Sequence, residues 1–126
     1  MENLIIGKTA LTPQVHFQTN GILLIKGIST PENVQTFFQP VFDWLHAFKE
    51  TKPEKVNFIL EIDYLNSTSS KIVVELLFIL NSMKSNGSDV EIVWRYEEDD
   101  EDMLELGQDL QLGAKADMLF VAIKKN

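Results

Sequence analysis

The chain has no cysteine, so it can form no disulfide, offer no thiolate nucleophile and hold no Cys-ligated zinc. It is short of positive charge: 11 Lys and Arg stand against 19 Asp and Glu, a formal net charge of −8. That balance provides no bulk electrostatic grip on nucleic acid or on an anionic membrane. Long apolar runs are missing as well. Leu76–Leu80 is five residues and Met118–Ile123 six, where a membrane-crossing helix needs about 20. The N-terminal Leu4-Ile5-Ile6 run is too short for the apolar region of an export signal. Nor does the chain contain a Walker A motif, a G-x-G-x-x-G turn, a G-x-S-x-G elbow or an H-E-x-x-H pair. The expectation is a soluble, cytoplasmic protein with no cofactor or metal, acting neither on nucleic acid nor in a membrane.

What is present is an ordinary globular composition, 44% hydrophobic and 24% charged over 126 residues. That length suits one core, so residues 1–126 are read as a single domain. No repeat or low-complexity linker divides it. Val15–Gln18 and Ile22–Ile25 read as strands joined at Asn20-Gly21, a two-residue hairpin signal, with Leu4–Ile6 as a possible edge strand. Thr30 is placed to cap a helix with Pro31 in its first turn. That helix should run to about Lys49 on an apolar stripe of Val34, Phe37, Phe38, Val41, Phe42, Leu45 and Phe48. Pro40 lies inside the pattern and should kink or divide it.

Val56–Ile62 alternates as a strand, with Val56, Phe58, Leu60 and Ile62 on one face. A polar loop, Asp63–Ser70, follows. The next helix places Ile72, Val73, Leu76, Leu77, Leu80 and Met83 on one side and stops at Asn86-Gly87. Val90, Ile92, Trp94 and Tyr96 alternate in another strand. A short helix at Met103–Leu112 and a strand at Met118–Ile123 complete the order. Strands alternating with helices after a hairpin predict an α/β fold, a mixed sheet with the long helices packed on it as one layer.

Three features carry chemistry. The first is Asp63-Tyr64-Leu65-Asn66-Ser67-Thr68-Ser69-Ser70-Lys71. Asn66 or Ser67 can cap the following helix, yet four consecutive hydroxyls exceed what one cap needs. Hydroxyls beside free N–H groups and the positive end of a helix dipole suit a phosphate, bound or covalent. A polar loop with a redundant cap explains the same residues. A Ser-His-Asp hydrolase is the weaker reading, since nothing places His16 or His46 beside Ser67. The second feature is Glu97–Asp102 with Glu105, seven carboxylates in nine residues; without them twelve acids face eleven bases. The run lacks the spacing and glycine of a calcium loop. It reads as a solvated helix start or as an electrostatic docking face for a basic partner surface. The third is Trp44, which departs from the centre of the apolar stripe and could anchor a partner.

Several segments together resemble the bacterial SiaC family of regulatory phosphoproteins. They are Ser29-Thr30-Pro31-Glu32-Asn33, Phe37-Phe38-Gln39-Pro40-Val41, Trp44-Leu45, Tyr64–Lys71, Trp94-Arg95-Tyr96 and Asp99-Asp100-Glu101-Asp102-Met103, in the family's order along nearly the whole chain. The family is similar in fold to the STAS-type anti-sigma-factor antagonists, a mixed sheet with helices on one side. The resemblance implies a partner-switching protein, not an enzyme. A kinase with a histidine-kinase-like ATPase fold would phosphorylate a hydroxyl, and a PP2C-type phosphatase would remove the phosphate. The unmodified form would bind a downstream target, for which a diguanylate cyclase is the family's example. The family's modified residue follows Asn directly in Asn-Thr-Ser-Ser. Here that position is Ser67, with Thr68 the alternative acceptor; Tyr64, Asn66, Ser69, Ser70 and Lys71 would frame it. Partner contacts are expected from Trp44, Asp99, Asp100, Glu101 and Asp102. The competing expectation is a constitutive interaction module with no phosphorylation switch.

Overall fold

The computed structural model describes residues 1–124. Six strands form one sheet, in the order β1-β2-β3-β4-β5-β6. The first three, β1 (Leu4–Ile6), β2 (Gln14–Phe17) and β3 (Ile22–Ser29), pair antiparallel. From β3 onward, β4 (Lys55–Leu65), β5 (Asp89–Glu97) and β6 (Leu119–Ile123) pair parallel. The parallel connections carry α1 (Val34–Glu50), α2 (Ser67–Ser85) and α3 (Glu101–Ala114). The expected mixed sheet with helices is therefore present.

One face of the sheet is buried. Val15, Phe17, Leu23, Ile25, Val56, Phe58, Leu60, Ile62, Ile92 and Trp94 lie under the helices. The helices sit side by side, α1 against α2 and α2 against α3. All six apolar positions expected of α2 are buried. The opposite sheet face stays open, and on it Glu61 pairs with Lys26 at 3.2 Å and Arg95 at 3.6 Å across neighbouring strands.

The hairpin forms with a longer loop than the Asn-Gly pair suggested. The Gly21 amide donates to the Gln18 carbonyl and the Gln18 amide to the Ile22 carbonyl. The turn is thus Gln18–Gly21, and only Gly21 takes positive φ, at 97°. That is the three-residue loop in which a glycine in the left-handed region closes a type I turn. A Cβ at Gly21 would also strike the Lys55 carbonyl.

The start of α1 differs from the expectation. Asn33 is the cap, its Oδ1 accepting the Thr36 amide at 3.1 Å. Thr30 lies ahead of the helix, its amide and hydroxyl both donating to the Leu11 carbonyl. Pro40 does not divide the helix, which runs from Val34 to Glu50. Pro40 is exposed, so the carbonyl its missing N–H leaves unpaired can be met by water.

Trp44 is drawn into the core. It is buried, with its ring 4.8 Å from Phe48 and 5.4 Å from Phe17. Its Nε1 donates to the Glu2 carbonyl at 2.8 Å. The buried stripe of α1 is Phe38, Val41, Trp44, Leu45 and Phe48, turned slightly from the expected one, with Val34, Phe37 and Phe42 at its half-buried margin.

Candidate functional site at the strand–helix junction

The expected loop Asp63–Ser70 is almost absent. Strand β4 continues to Leu65 and helix α2 begins at Ser67, leaving Asn66 as the whole junction. The strand can extend because β3 accompanies it: a bulge at Gly27/Ile28 resets the register so that Ile28 pairs with Tyr64 and Ser29 with Leu65. Gly27 has φ 121°, a conformation that favours glycine.

Asn66 caps α2. Its Oδ1 accepts the Ser69 amide at 2.9 Å and the Thr68 hydroxyl at 3.0 Å. Its carbonyl accepts both the Ser70 amide at 3.0 Å and the Ser70 hydroxyl at 3.1 Å. Ser69 is fully buried and its Oγ lies 2.9 Å from that of Ser29, which is also buried. The four hydroxyls are therefore not equivalent. Ser69 and Ser70 face the protein and Thr68 is drawn into the cap. Ser67 is exposed, and its hydroxyl makes no hydrogen bond among the described residues. The backbone amides of Ser67 and Thr68 occupy the first turn, where no intrahelical acceptor exists.

The exposed face of α2 runs from this point. Ser67, Lys71, Glu75 and Phe78 are exposed at helical spacing. Phe78 is 51% exposed, and Tyr64, just before the junction, 55%. Lys71 makes no ion pair among the described residues.

The acidic run is divided among four local settings. Glu97 ends β5, Glu98 and Asp99 form the turn, Asp100 caps α3, and Glu101 and Asp102 stand in its first turn. The Asp100 carboxylate accepts the Met103 amide at 3.1 Å. Carboxylates there face the positive end of the helix dipole. Trp94 fixes where this helix start sits, since its Nε1 donates to the Met103 carbonyl at 3.0 Å.

The fold brings the hydroxyl junction and the acidic run to the same edge of the sheet, at the C-terminal ends of β4 and β5. A crevice of about 280 Å³ is lined by Asp63, Tyr64, Leu65, Asp100, Asp102, Met103 and Leu106. Asp99 and Glu101 are exposed beside it and Trp44 is not part of it. Sequence reasoning missed Asp63 as a companion of the acidic run, because 36 positions separate it from Asp99 and only the parallel pairing of β4 with β5 closes that gap. It also missed Ser29. An isolated Ser at the end of an apolar strand carries no sequence signal of a buried partner 40 positions away.

A model of the SiaC family regulatory phosphoproteins matches residues 6–123. The chain belongs to this family. An uncharacterized protein of Pseudomonas aeruginosa strain UCBPP-PA14 is 30% identical over 112 residues, covering 88% of this chain and 89% of that protein. The crystal structure of apo-SiaC from Pseudomonas aeruginosa is similar with a TM-score of 0.87 at 27% identity, covering 97% of this chain and all 100% of that one. A chain from the structure of the diguanylate cyclase SiaD in complex with its activator SiaC, also from Pseudomonas aeruginosa, gives a TM-score of 0.88 at 27% identity, over 95% of this chain and 99% of that chain. The six-stranded mixed sheet and three helices are thus the architecture of the SiaC structures, and the chain is a SiaC-family regulatory protein. No helix among the described residues is long and apolar enough to cross a membrane.

Proposed function

We propose that this SiaC-family chain is a partner-switching phosphoprotein that is modified on Ser67 and is not itself an enzyme. The observation that carries this reading is the state of the four hydroxyls: Asn66 alone supplies the cap, and Ser67 stands exposed and unbonded among the described residues at the first position of α2. A bare capping loop has no need of that hydroxyl. The Ser/Thr kinase would have a histidine-kinase-like ATPase fold, and a PP2C-type phosphatase would reverse the reaction. The unmodified protein would act in the cytoplasm on a downstream target. The SiaC relative is named as activator in a complex with a diguanylate cyclase, which supports an enzyme of that class as the target here. The order of strands and helices, with the switch at a strand–helix junction, supports kinship with the STAS-type anti-sigma-factor antagonists.

The physical switch is local. A phosphate adds about −1.5 to −2 charge at neutral pH. On the first residue of α2 it meets free N–H groups and the positive dipole end, so the domain tolerates it. Its effect falls on a partner. Exposed Tyr64 and Phe78 lie on either side of Ser67 along the chain, and a partner seated on those rings would have to desolvate the phosphate, which is unfavourable. Asp63, Asp100 and Asp102 at the adjoining crevice add like charge.

The test is to incubate the chain with ATP and a purified kinase of this class from the same genome, then to measure intact mass and map the modified peptide. One phosphate on Ser67, and weaker binding of the modified protein to a candidate cyclase, is the expected result. An unmodified mass, or binding indifferent to the phosphate, would sink the reading.

A further inference from the structure

Ser29 and Ser69 are the buried polar residues of the described chain, at 1% and 0% exposure, and their hydroxyls lie 2.9 Å apart. A buried hydroxyl is unfavourable unless it is hydrogen-bonded, and apolar residues of similar size would fill the same space without that cost. The pair sits directly beneath the junction. Ser29 is the last residue of β3 and Ser69 the third of α2. Ser29 reaches the junction twice, because its carbonyl also accepts the Asn66 amide at 3.2 Å. One residue of the neighbouring strand therefore holds both ends of the first turn: the backbone of the cap and the side chain two residues beyond Ser67.

We infer that Ser29 is a positioning residue for Ser67, the Ser29–Ser69 hydroxyl pair holding the first turn of α2 so that the Ser67 hydroxyl faces outward. The inference rests on the reading of Ser67 as the modified residue. Its physical content is a tie between strand and helix. Asn66 and Ser69 face each other through the cap bond of 2.9 Å, and both are held from the sheet by Ser29. Ser67 lies between them and inherits their placement. Without the tie no side-chain bond joins the first turn of α2 to β3, and the turn loosens around Ser67.

The discriminating comparison is between Ser29→Ala and the double variant Ser29→Ala/Ser69→Ala. The single variant orphans a buried hydroxyl and loses global stability. The double variant removes both hydroxyls, which restores most of that stability but leaves the tie broken. Two measurements are made on the full chain: amide hydrogen exchange at Ser69 and Ser70 relative to core amides such as Leu60 and Leu76, and kcat and KM for phosphorylation of Ser67 by the kinase with ATP. The expected result is that the double variant keeps exchange at Ser69 and Ser70 roughly fivefold faster than wild type, the factor for one lost hydrogen bond, with core amides unchanged and kcat reduced at unchanged KM. Wild-type exchange at both amides, or wild-type kcat, in the double variant overturns the inference, because the pair would then serve stability alone. Faster local exchange together with no phosphate on wild-type Ser67 sustains the tie and instead sinks the phosphorylation reading.

Discussion

The Thr68 hydroxyl donates to the carboxamide oxygen of Asn66 at 3.0 Å, and that same oxygen accepts the Ser69 amide at 2.9 Å. Thr68 is thereby part of the cap, whereas Ser67, one residue earlier, is outside it. A phosphate on Thr68 would have to give up the bond and set its own oxygens near the Asn66 oxygen. The difference separates two adjacent hydroxyls that sequence position alone leaves nearly equal. Ser67→Ala should abolish incorporation of phosphate, while Thr68→Ala should leave the Ser67 peptide modified. Peptide mapping after kinase treatment reads this, and a phosphate retained in Ser67→Ala would reverse the assignment.

Asn66 is the whole connection between β4 and α2, and its loss should cost stability. Asn66→Ala removes the acceptor of the Ser69 amide and should destabilise the domain by about 1 kcal/mol, the usual value of an N-cap. Asn66→Asp keeps an acceptor there and should lose much less. Urea unfolding with an unchanged m-value measures both.

Trp44 is stacked on Phe48 and hydrogen-bonded to the Glu2 carbonyl. Trp44→Ala should cost about 3–5 kcal/mol, as large-to-small changes of buried aromatics do. A side chain whose role was only to meet a partner would leave the unfolding midpoint in place. Trp44→Phe retains ring packing and loses the N–H bond, so its cost should be smaller.

Gly107 of α3 lies against Trp94, and a Cβ there would come within 2.6 Å of the indole Nε1. Gly107→Ala should force either the helix or the indole to shift, at a cost of about 1–3 kcal/mol. The same indole holds the Met103 carbonyl at the start of α3. A change in Trp94 fluorescence should therefore accompany the loss in stability.

The acidic start of α3 can be neutralised without removing its cap. Asp100→Asn preserves a capping oxygen, and Asp99→Asn, Glu101→Gln and Asp102→Asn alter exposed positions. If this face docks a basic surface, the quadruple variant should bind the downstream target with a slower on-rate and a shallower dependence on salt. Unchanged kinetics over a salt series would leave the carboxylates the role of solvated helix starters only.

Much of the fold could be read along the chain. The alternation in Val56–Ile62 and the three-and-four spacing in Ile72–Met83 both match the buried faces in the structure, because each period belongs to one kind of backbone. Element ends were less legible. Thr30 and Asn33 are both good caps, and the structure uses Asn33, with Thr30 bonded instead to the Leu11 carbonyl 19 positions away. The burial of Trp44 was hidden for a similar reason. Its position at the side of the stripe is true of the helix, but Phe17 from β2 and the Glu2 carbonyl extend the core to cover it.

The sequence by itself determined the strand–helix order, the hydroxyl run after Asn66 and the confinement of the net charge to Glu97–Glu105. These are local properties, carried by side-chain spacing and composition. Tertiary structure alone decided that Ser69 is buried and that Asn66 is the whole junction. Parallel pairing of β3 with β4, reset by the Gly27 bulge, shortened the expected loop to Asn66 and brought Ser29 beneath Ser69. It also set Asp63 beside Asp100 and Asp102 at one crevice. Such relations depend on which strands are neighbours, and a chain fixes its neighbours only when the long-range sheet closes.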